Sequence, residues 1–506
     1  CLLYFRCYRK QTSSRNVEKK NSALNSFNAK KERRNEMIEG SHFLHAIWIM
    51  SNWCSKQFQN SYIVQWFLKK DDKKIIARNS IFFRIFWGIR RALSKIFYKL
   101  HLNKLFVNSI FKMSYLWCGA AVLLAPILPT MLVLAFVLAG FGSLFLSFLY
   151  DRRRKMEYFA VNRYIYYYAF VYLFATMTSL ARQASFLGGV LTVCFILFSI
   201  VLSNAIETKK QLNVILFFFI CVGVLVSFYG FYQYMFPSKF SGVWHDVDMF
   251  ETISFRVYST LENPNVLGEY FLIVLPFAAA FCINSKSWFN RIFFVVCAGI
   301  MMLCLVLTYS RGCYIGIMAA IAVFLVLWDR RFIFLGIVVL LMLPFVMPET
   351  IINRFLSIGN MADSSTSYRV YIWLGSIAML KDYWLCGIGP GTEAFNQVYP
   401  LYAYNSISAP HSHNLFLQII CDAGIVELII FVILIIQYYR MTCGALSRET
   451  KKENKMLLIA AISAVTGFLV QSMSDYTFYN YRVMLLFWVC IAFGMILTKM
   501  TRLKEE

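Results

Sequence analysis

The residues of this chain best suited to chemistry are two arginines and a histidine. Arg256 stands in Phe255-Arg256-Val257-Tyr258-Ser259-Thr260, just ahead of Glu262-Asn263-Pro264-Asn265. Arg311 stands in Tyr309-Ser310-Arg311-Gly312, and His413 in Ala409-Pro410-His411-Ser412-His413-Asn414. Each lies where polar residues meet a long apolar run. The planar fork of arginine matches phosphate oxygens, at about 1.5–3 kcal/mol for each charge-assisted bond. A histidine at the same surface can take a proton from a hydroxyl. The set therefore suits a diphosphate substrate. The chain has six histidines, and His411 and His413 fall in this single loop. Taken alone, the two histidines read equally as interfacial turn residues, and Arg311 as a side chain snorkelling to lipid phosphate.

Elements must bring these residues together, and composition says which kind. Hydrophobic residues make up 59 % of 506 and charged residues 15 %. A soluble domain carries about 25 % charge, so this is no ordinary globular enzyme. Apolar runs recur from residue 105 onward, which predicts an all-α, polytopic membrane protein. The spacing predicts about twelve helices. They fall at residues 105–128, 131–150, 160–180, 184–204, 212–236, 266–283, 291–309, 313–328, 332–348, 414–439, 456–475 and 482–499. The first two form a hairpin turning at Pro126–Pro129. No paired broken helices or internal repeats are evident among them.

The formal charge of +24 is concentrated in the first hundred residues and in short loops. That pattern fits cytoplasmic loops and anionic membrane lipids, with no nucleic-acid partner. Residues 1–78 read as a basic, largely disordered cytoplasmic extension. Residues 79–104 read as a basic amphipathic helix on the membrane surface: Ile81, Phe82, Ile85, Phe86, Ile89, Leu93 and Ile96 recur at helical spacing, with Arg84, Arg90, Arg91, Lys95 and Lys99 between them. Basic loops at Arg152–Lys155, Lys209-Lys210, Lys286 with Arg291, Arg330-Arg331 and Arg440–Lys455 share one side. Positive-inside then places both termini in the cytoplasm and the loops 237–265 and 348–412 outside.

The external set then includes Arg256, Arg311 and His413. The long loop adds Ser365-x-x-x-Arg369-x-x-x-Trp373, read as an external amphipathic helix capped by Ser364 or Ser365, with Tyr368, Tyr371, Leu374, Ile377 and Ala378 on its apolar face. Gly387-Ile388-Gly389-Pro390-Gly391 reads as a tight turn. Fourteen cysteines show no C-x-x-C pair, so neither a disulfide framework nor zinc is expected. The nearest approach to an external carboxylate cluster is Asp246, Asp248 and Glu251 beside His245. No metal and no cofactor are expected.

In their order, these motifs carry a resemblance. Arg256 ahead of Asn-Pro-Asn, the Ser310-Arg311-Gly312 turn, Ser365-x-x-x-Arg369-x-x-x-Trp373, the Gly-x-Gly turn and His413-Asn414 followed by Gly424 resemble the O-antigen ligase and polymerase family of bacterial membrane glycosyltransferases. The similarity spans about residues 105–500. Where ligases often place a second glycine after Gly424, this chain has Glu427, which leaves ligase and polymerase both open. The resemblance implies transfer of a glycan from undecaprenyl diphosphate to an acceptor hydroxyl, at the external face of a bacterial inner or plasma membrane. It implies Arg256 and Arg311 on the diphosphate, His413 as base, and inversion without metal. Arg369, Asn265, Asn414 and His411 are expected as substrate contacts. A flippase and a chain-length regulator are the expected protein partners. The rival reading is a transporter of an anion or a lipid-linked glycan.

Overall fold

The structure is a computed structural model. It describes residues 81–506 except 152, 238–254, 330, 333–335, 339–340, 343–344, 346–348, 357–363 and 503–506. The expected basic extension over 1–78 lies outside the described residues, as do His245, Asp246, Asp248 and Glu251. The helices are α1 Ile81–Lys99, α2 Leu102–Val107, α3 Ser114–Leu124, α4 Thr130–Tyr150, α5 Ala160–Thr178, α6 Arg182–Ala205, α7 Lys209–Met235 and α8 Pro264–Asn284. They continue with α9 Trp288–Val306, α10 Arg311–Trp328, α11 Glu349–Leu356, α12 Ser364–Tyr383, α13 Thr392–Val398, α14 Leu415–Arg448, α15 Lys452–Gln471 and α16 Tyr481–Arg502. No strand occurs among the described residues. The chain is all-α and polytopic.

Among the described residues nine helices are long and apolar enough to cross a membrane: α4, α6 to α10, and α14 to α16. About twelve were expected, and the differences have local causes. The run at 105–128 is broken: α2 ends at Val107, a 3₁₀ turn covers Ile110–Lys112, and the apolar helix resumes only as the short α3. The expected span at 160–180 is present as the helix α5, diluted in hydropathy by Asn162, Arg163 and its tyrosines. The span expected at 332–348 is described only in part.

One helix organises the bundle. α16 is buried along its whole apolar length, and α4, α6, α8, α14 and α15 pack around it. A helix that is apolar on every face belongs in such a position. Small residues set the tightest crossing, between α10 and α15. A Cβ at Gly316 would meet the Gly467 carbonyl at 2.8 Å, so the two backbones touch directly.

At the end that carries the basic loops, cations close helix C-termini. Arg90 donates to the carbonyls of Phe148 (3.0 Å) and Asp151 (2.8 Å) at the end of α4. Lys499 donates to those of Ser203 and Ile206, both at 2.7 Å, at the end of α6. Such carbonyls lack helical partners and carry the negative end of the dipole. Arg90 thus pins α1 to the bundle, while Ile85, Ile89 and Ile96 stay more than half exposed. An apolar stripe left bare between basic residues suits the interfacial helix expected at 79–104.

One expectation needs correction, the packed face of α12. Its buried residues are Ile372, Gly375, Ser376 and Met379, while Leu374 and Ile377 are exposed. Gly375 is small enough to admit the Tyr399 ring and the Tyr402 carbonyl, so backbone proximity rather than apolar bulk selects the packed side. A single break occurs among the described residues of the long helices. α14 is interrupted at Gly424, whose φ of 81° is left-handed. The Gly-x-Gly turn fits that interruption: Ile388 and Gly389 donate their N–H groups to the carbonyls of Cys421 (2.7 Å) and Asp422 (3.1 Å), and Ile425 donates to Trp384 (2.8 Å). A break in a membrane helix is tolerated when neighbouring backbone takes up the freed groups.

Candidate functional site

The expected residues converge on one carboxylate that sequence reasoning missed, Asp475. It lies in the short connection between α15 and α16, in Met473-Ser474-Asp475-Tyr476, and its side chain is buried. Its Oδ1 is 2.9 Å from His413 Nδ1. Its Oδ2 accepts from Asn265 Nδ2 at 2.8 Å, and Arg369 stands 3.9 Å away. Asn265 in turn accepts from the Arg256 guanidinium at 3.0 Å. A continuous chain therefore runs Arg256, Asn265, Asp475, His413, joining segments more than two hundred residues apart.

Local structure explains how each is held. The segment before the 3₁₀ turn at Ser259–Leu261 is fastened to the turn after α9: Val257 N–H donates to the Leu307 carbonyl (3.1 Å) and Arg256 Nε to that of Thr308 (2.8 Å). That same turn leads through Ser310 to Arg311, the first residue of α10 and itself buried. The sequence-separated arginines are therefore carried by adjoining backbone. Gly312 is packed so closely on Gln471 and Ser474 that a Cβ there would collide with both, which brings the Arg311 turn up to the Asp475 connection. Asn263 caps α8 by accepting from Asn265 N–H at 2.8 Å, and Pro264 takes the first helical position, where its missing N–H costs nothing.

His413 is left-handed, with φ of 49°, immediately before the N-cap of α14. That conformation is uncommon but accessible to histidine. Its loop is fastened on two sides. Leu415 N–H donates to the Ser472 carbonyl (2.9 Å), and Trp373 Nε1 of α12 donates to the His413 carbonyl (3.3 Å). Asn414 uses both ends of its amide in this fastening: Oδ1 accepts from Leu417 N–H (3.0 Å) and Nδ2 donates to the Met473 carbonyl (2.8 Å). With these two bonds Asn414 caps α14 and holds the loop. The His411 ring stacks on Tyr479 at 5.1 Å and lies 4.2 Å from the His413 ring.

Electrostatics assign states to these groups. Burial opposes charge on Asp475, but the His413 hydrogen bond, with Arg369 and His411 nearby, outweighs it and holds the carboxyl well below the usual carboxylate range. An ionised Asp475 accepting at Oδ1 places a proton on His413 Nδ1, so Nε2 is the ring nitrogen left for another partner. Burial and then the neighbouring His413 push His411 down to about 3, against the pull of Asp475. His411 is therefore neutral, and since its Nδ1 accepts the His413 N–H (3.3 Å), its proton is on Nε2.

His411, His413 and Asp475 also bring potential metal-ligand atoms within 4.8 Å of one another, a grouping not foreseen from sequence. Their donor atoms, however, are turned on each other: Oδ1 is bonded to His413 Nδ1, and His411 Nδ1 takes a backbone N–H. Arg369 beside them adds a positive neighbour. The arrangement is that of a proton-handling dyad next to guanidinium groups, able to remove a proton from a hydroxyl and to hold an anion.

Asp475 gives one signal in the sequence: it is an acidic residue in a short connection between two apolar runs, on the same side as the histidine loop. No curated protein matches the chain. Residues 294–432 match the family model described as O-Antigen ligase. The matched stretch includes Arg311, Arg369, His411, His413 and Gly424, while Arg256, Asn265 and Asp475 fall on either side of it. The motif residues lie inside the match and the remaining site residues fold onto them, so residues 294–432 are similar to the O-antigen ligase family.

Proposed function

We propose that this protein transfers a glycan from undecaprenyl diphosphate to an acceptor hydroxyl at the external face of a bacterial cell membrane, with both termini in the cytoplasm. The observation that carries the reading is the chain from Arg256 through Asn265 and Asp475 to His413. It couples an anion-holding guanidinium to a histidine whose Nε2 can accept a proton. In this reading His413 Nε2 removes the acceptor hydroxyl proton as the oxygen attacks the anomeric carbon. The bond from that carbon to the phosphate oxygen breaks, and its electron pair leaves with undecaprenyl diphosphate. Arg256 and Arg311 stabilise the charge that develops there. Attack from the face opposite the leaving group inverts the anomeric centre. Asp475 stabilises the imidazolium that forms and fixes the ring. Diphosphate is a good leaving group, so no general acid is called on, and the arginines take the place of a metal in holding its charge. An upstream flippase-type step has to present the donor outside.

The test is transfer by the purified full chain in lipid nanodiscs, given an undecaprenyl-diphosphate oligosaccharide and its unlinked repeat unit or lipid-linked core as acceptor. Glycan product of inverted linkage, lost in Arg256→Ala and His413→Ala, supports the reading. Movement of intact lipid-linked donor across the bilayer of vesicles reconstituted with the same chain, without any new glycosidic bond, would establish a transporter instead.

A further inference from the structure

Beside the histidines lies a cavity of about 150 Å³ that the diphosphate chemistry does not use. Its walls come from α5, α6, the turn before α13, the histidine loop and the connection carrying Asp475. His411, Gln418, Tyr476, Tyr479, Ser185 and Thr192 are among the lining residues, and no lysine or arginine is. Such walls would be poor for the two charged or oily parts of a lipid-linked donor. A diphosphate needs cations, and a prenyl chain needs apolar walls. What they offer is hydroxyls, an amide and aromatic faces. A sugar ring presents the matching surface, with hydroxyls at its edge and C–H groups on its face. The His411 ring forms the wall nearest the catalytic residues. Its far neighbour is His413, its stacking partner is Tyr479, and Tyr476, directly after Asp475, meets it edge-on at 5.4 Å.

We infer that this cavity, walled by the His411 ring and free of lysine and arginine, is the subsite for the terminal sugar of the acceptor glycan. The inference rests on the glycosyltransferase reading above and adds to it where the acceptor binds. His411 is then a binding residue: its Nε2–H donates to a sugar oxygen while its Nδ1 remains tied to the His413 backbone. An acceptor hydroxyl at the edge of this ring is directed to His413, and the donor phosphates stay on the arginine side.

Two exposed lining positions allow the cavity to be closed without disturbing the core. Ala184, on the first turn of α6, and Thr392, at the start of α13, are both exposed. Ala184→Trp and Thr392→Trp put a bulky ring at the cavity rim, and Ala184→Ser is the control. The probe is the set of soluble oligosaccharides released by mild acid from the envelope polysaccharide of cells that make this protein. Saturation-transfer NMR on the full chain in nanodiscs reads their binding, and binding of labelled undecaprenyl diphosphate is measured in parallel. Expected are oligosaccharide signals in the wild type and Ala184→Ser, reduced at least tenfold in both tryptophan variants. Undecaprenyl diphosphate binding should stay within about twofold throughout. No signal in the wild type, or equal signals in the tryptophan variants, overturns the subsite. A tryptophan variant that also loses undecaprenyl diphosphate is misfolded, and the other variant then decides. Failure of glycan transfer in the wild type would instead overturn the enzymatic reading, so the two failures are distinguishable.

Discussion

Asp475 Oδ1 and His413 Nδ1 are 2.9 Å apart, although 62 residues and one whole hairpin of helices separate them in the chain. This contact gives the histidine a defined tautomer, and it leads to the sharpest expectation. Asp475→Asn keeps the shape but removes the charge that supports imidazolium. Transfer should fall by roughly 10²–10⁴-fold, as should His413→Ala. Residues that act as a unit are not additive, so the double variant should be little worse than His413→Ala alone. Multiplying losses in single-turnover assays would mean that the two do not act together.

The arginines should report on the donor. Arg256→Lys and Arg311→Lys preserve charge but lose the fork, and Arg256→Lys also loses its bonds to the Thr308 carbonyl and Asn265. Affinity for undecaprenyl diphosphate should drop by about tenfold or more in each, the equivalent of one charge-assisted bond. Binding of the radiolabelled lipid to nanodisc-embedded protein measures it. Wild-type affinity in both variants would remove the diphosphate clamp.

Stability should depend on pH through His411. Its folded pKa, about 3, is depressed from an unfolded value near 6.5 by burial. Above about pH 6.5 its contribution to stability is fully present. As the pH falls toward 3 the unfolded chain takes up a proton that the native ring refuses, and the contribution is lost. His411→Gln removes this term. The stability advantage of the wild type over the variant should therefore shrink between about pH 6.5 and 4, by an amount on the order of 3 kcal/mol. Thermal melts in detergent across that window test it; parallel curves would contradict a buried neutral ring.

Topology can be checked at two exposed serines. Ser406→Cys should react with an impermeant maleimide on intact cells, and Ser447→Cys only after permeabilisation. The background must lack Cys386, which is exposed among the native cysteines. Reversed labelling would place the histidine loop in the cytoplasm.

The sequence made the arginines, the histidine loop and the helical class legible because each has a local signature. A charge at the edge of an apolar run and a long hydrophobic stretch can be read without knowing the fold. Asp475 has no such signature: it matters only because Gly312 lets the Arg311 turn close on Gln471 and Ser474, and because Leu415 N–H reaches Ser472. The packed face of α12 was hidden for a related reason, since Gly375 and Ser376 pack by smallness. The break at Gly424 looked like a uniform apolar helix because hydropathy does not record φ.

That break has a further electrical meaning. Two half-helices meet end to end there, so a positive and a negative dipole end face each other at Gly424. Glu427, fully buried, falls in the first turn of the second half, where the dipole favours a negative group, and neither of its carboxyl oxygens has a hydrogen-bond partner among the described residues. Asp422 closes the first half, at the end that disfavours one, and is supported by Gln418 Nε2 at 2.8 Å. The interrupted helix thus gives two neighbouring acids opposite local fields, and the one without a hydrogen-bond partner occupies the favourable field.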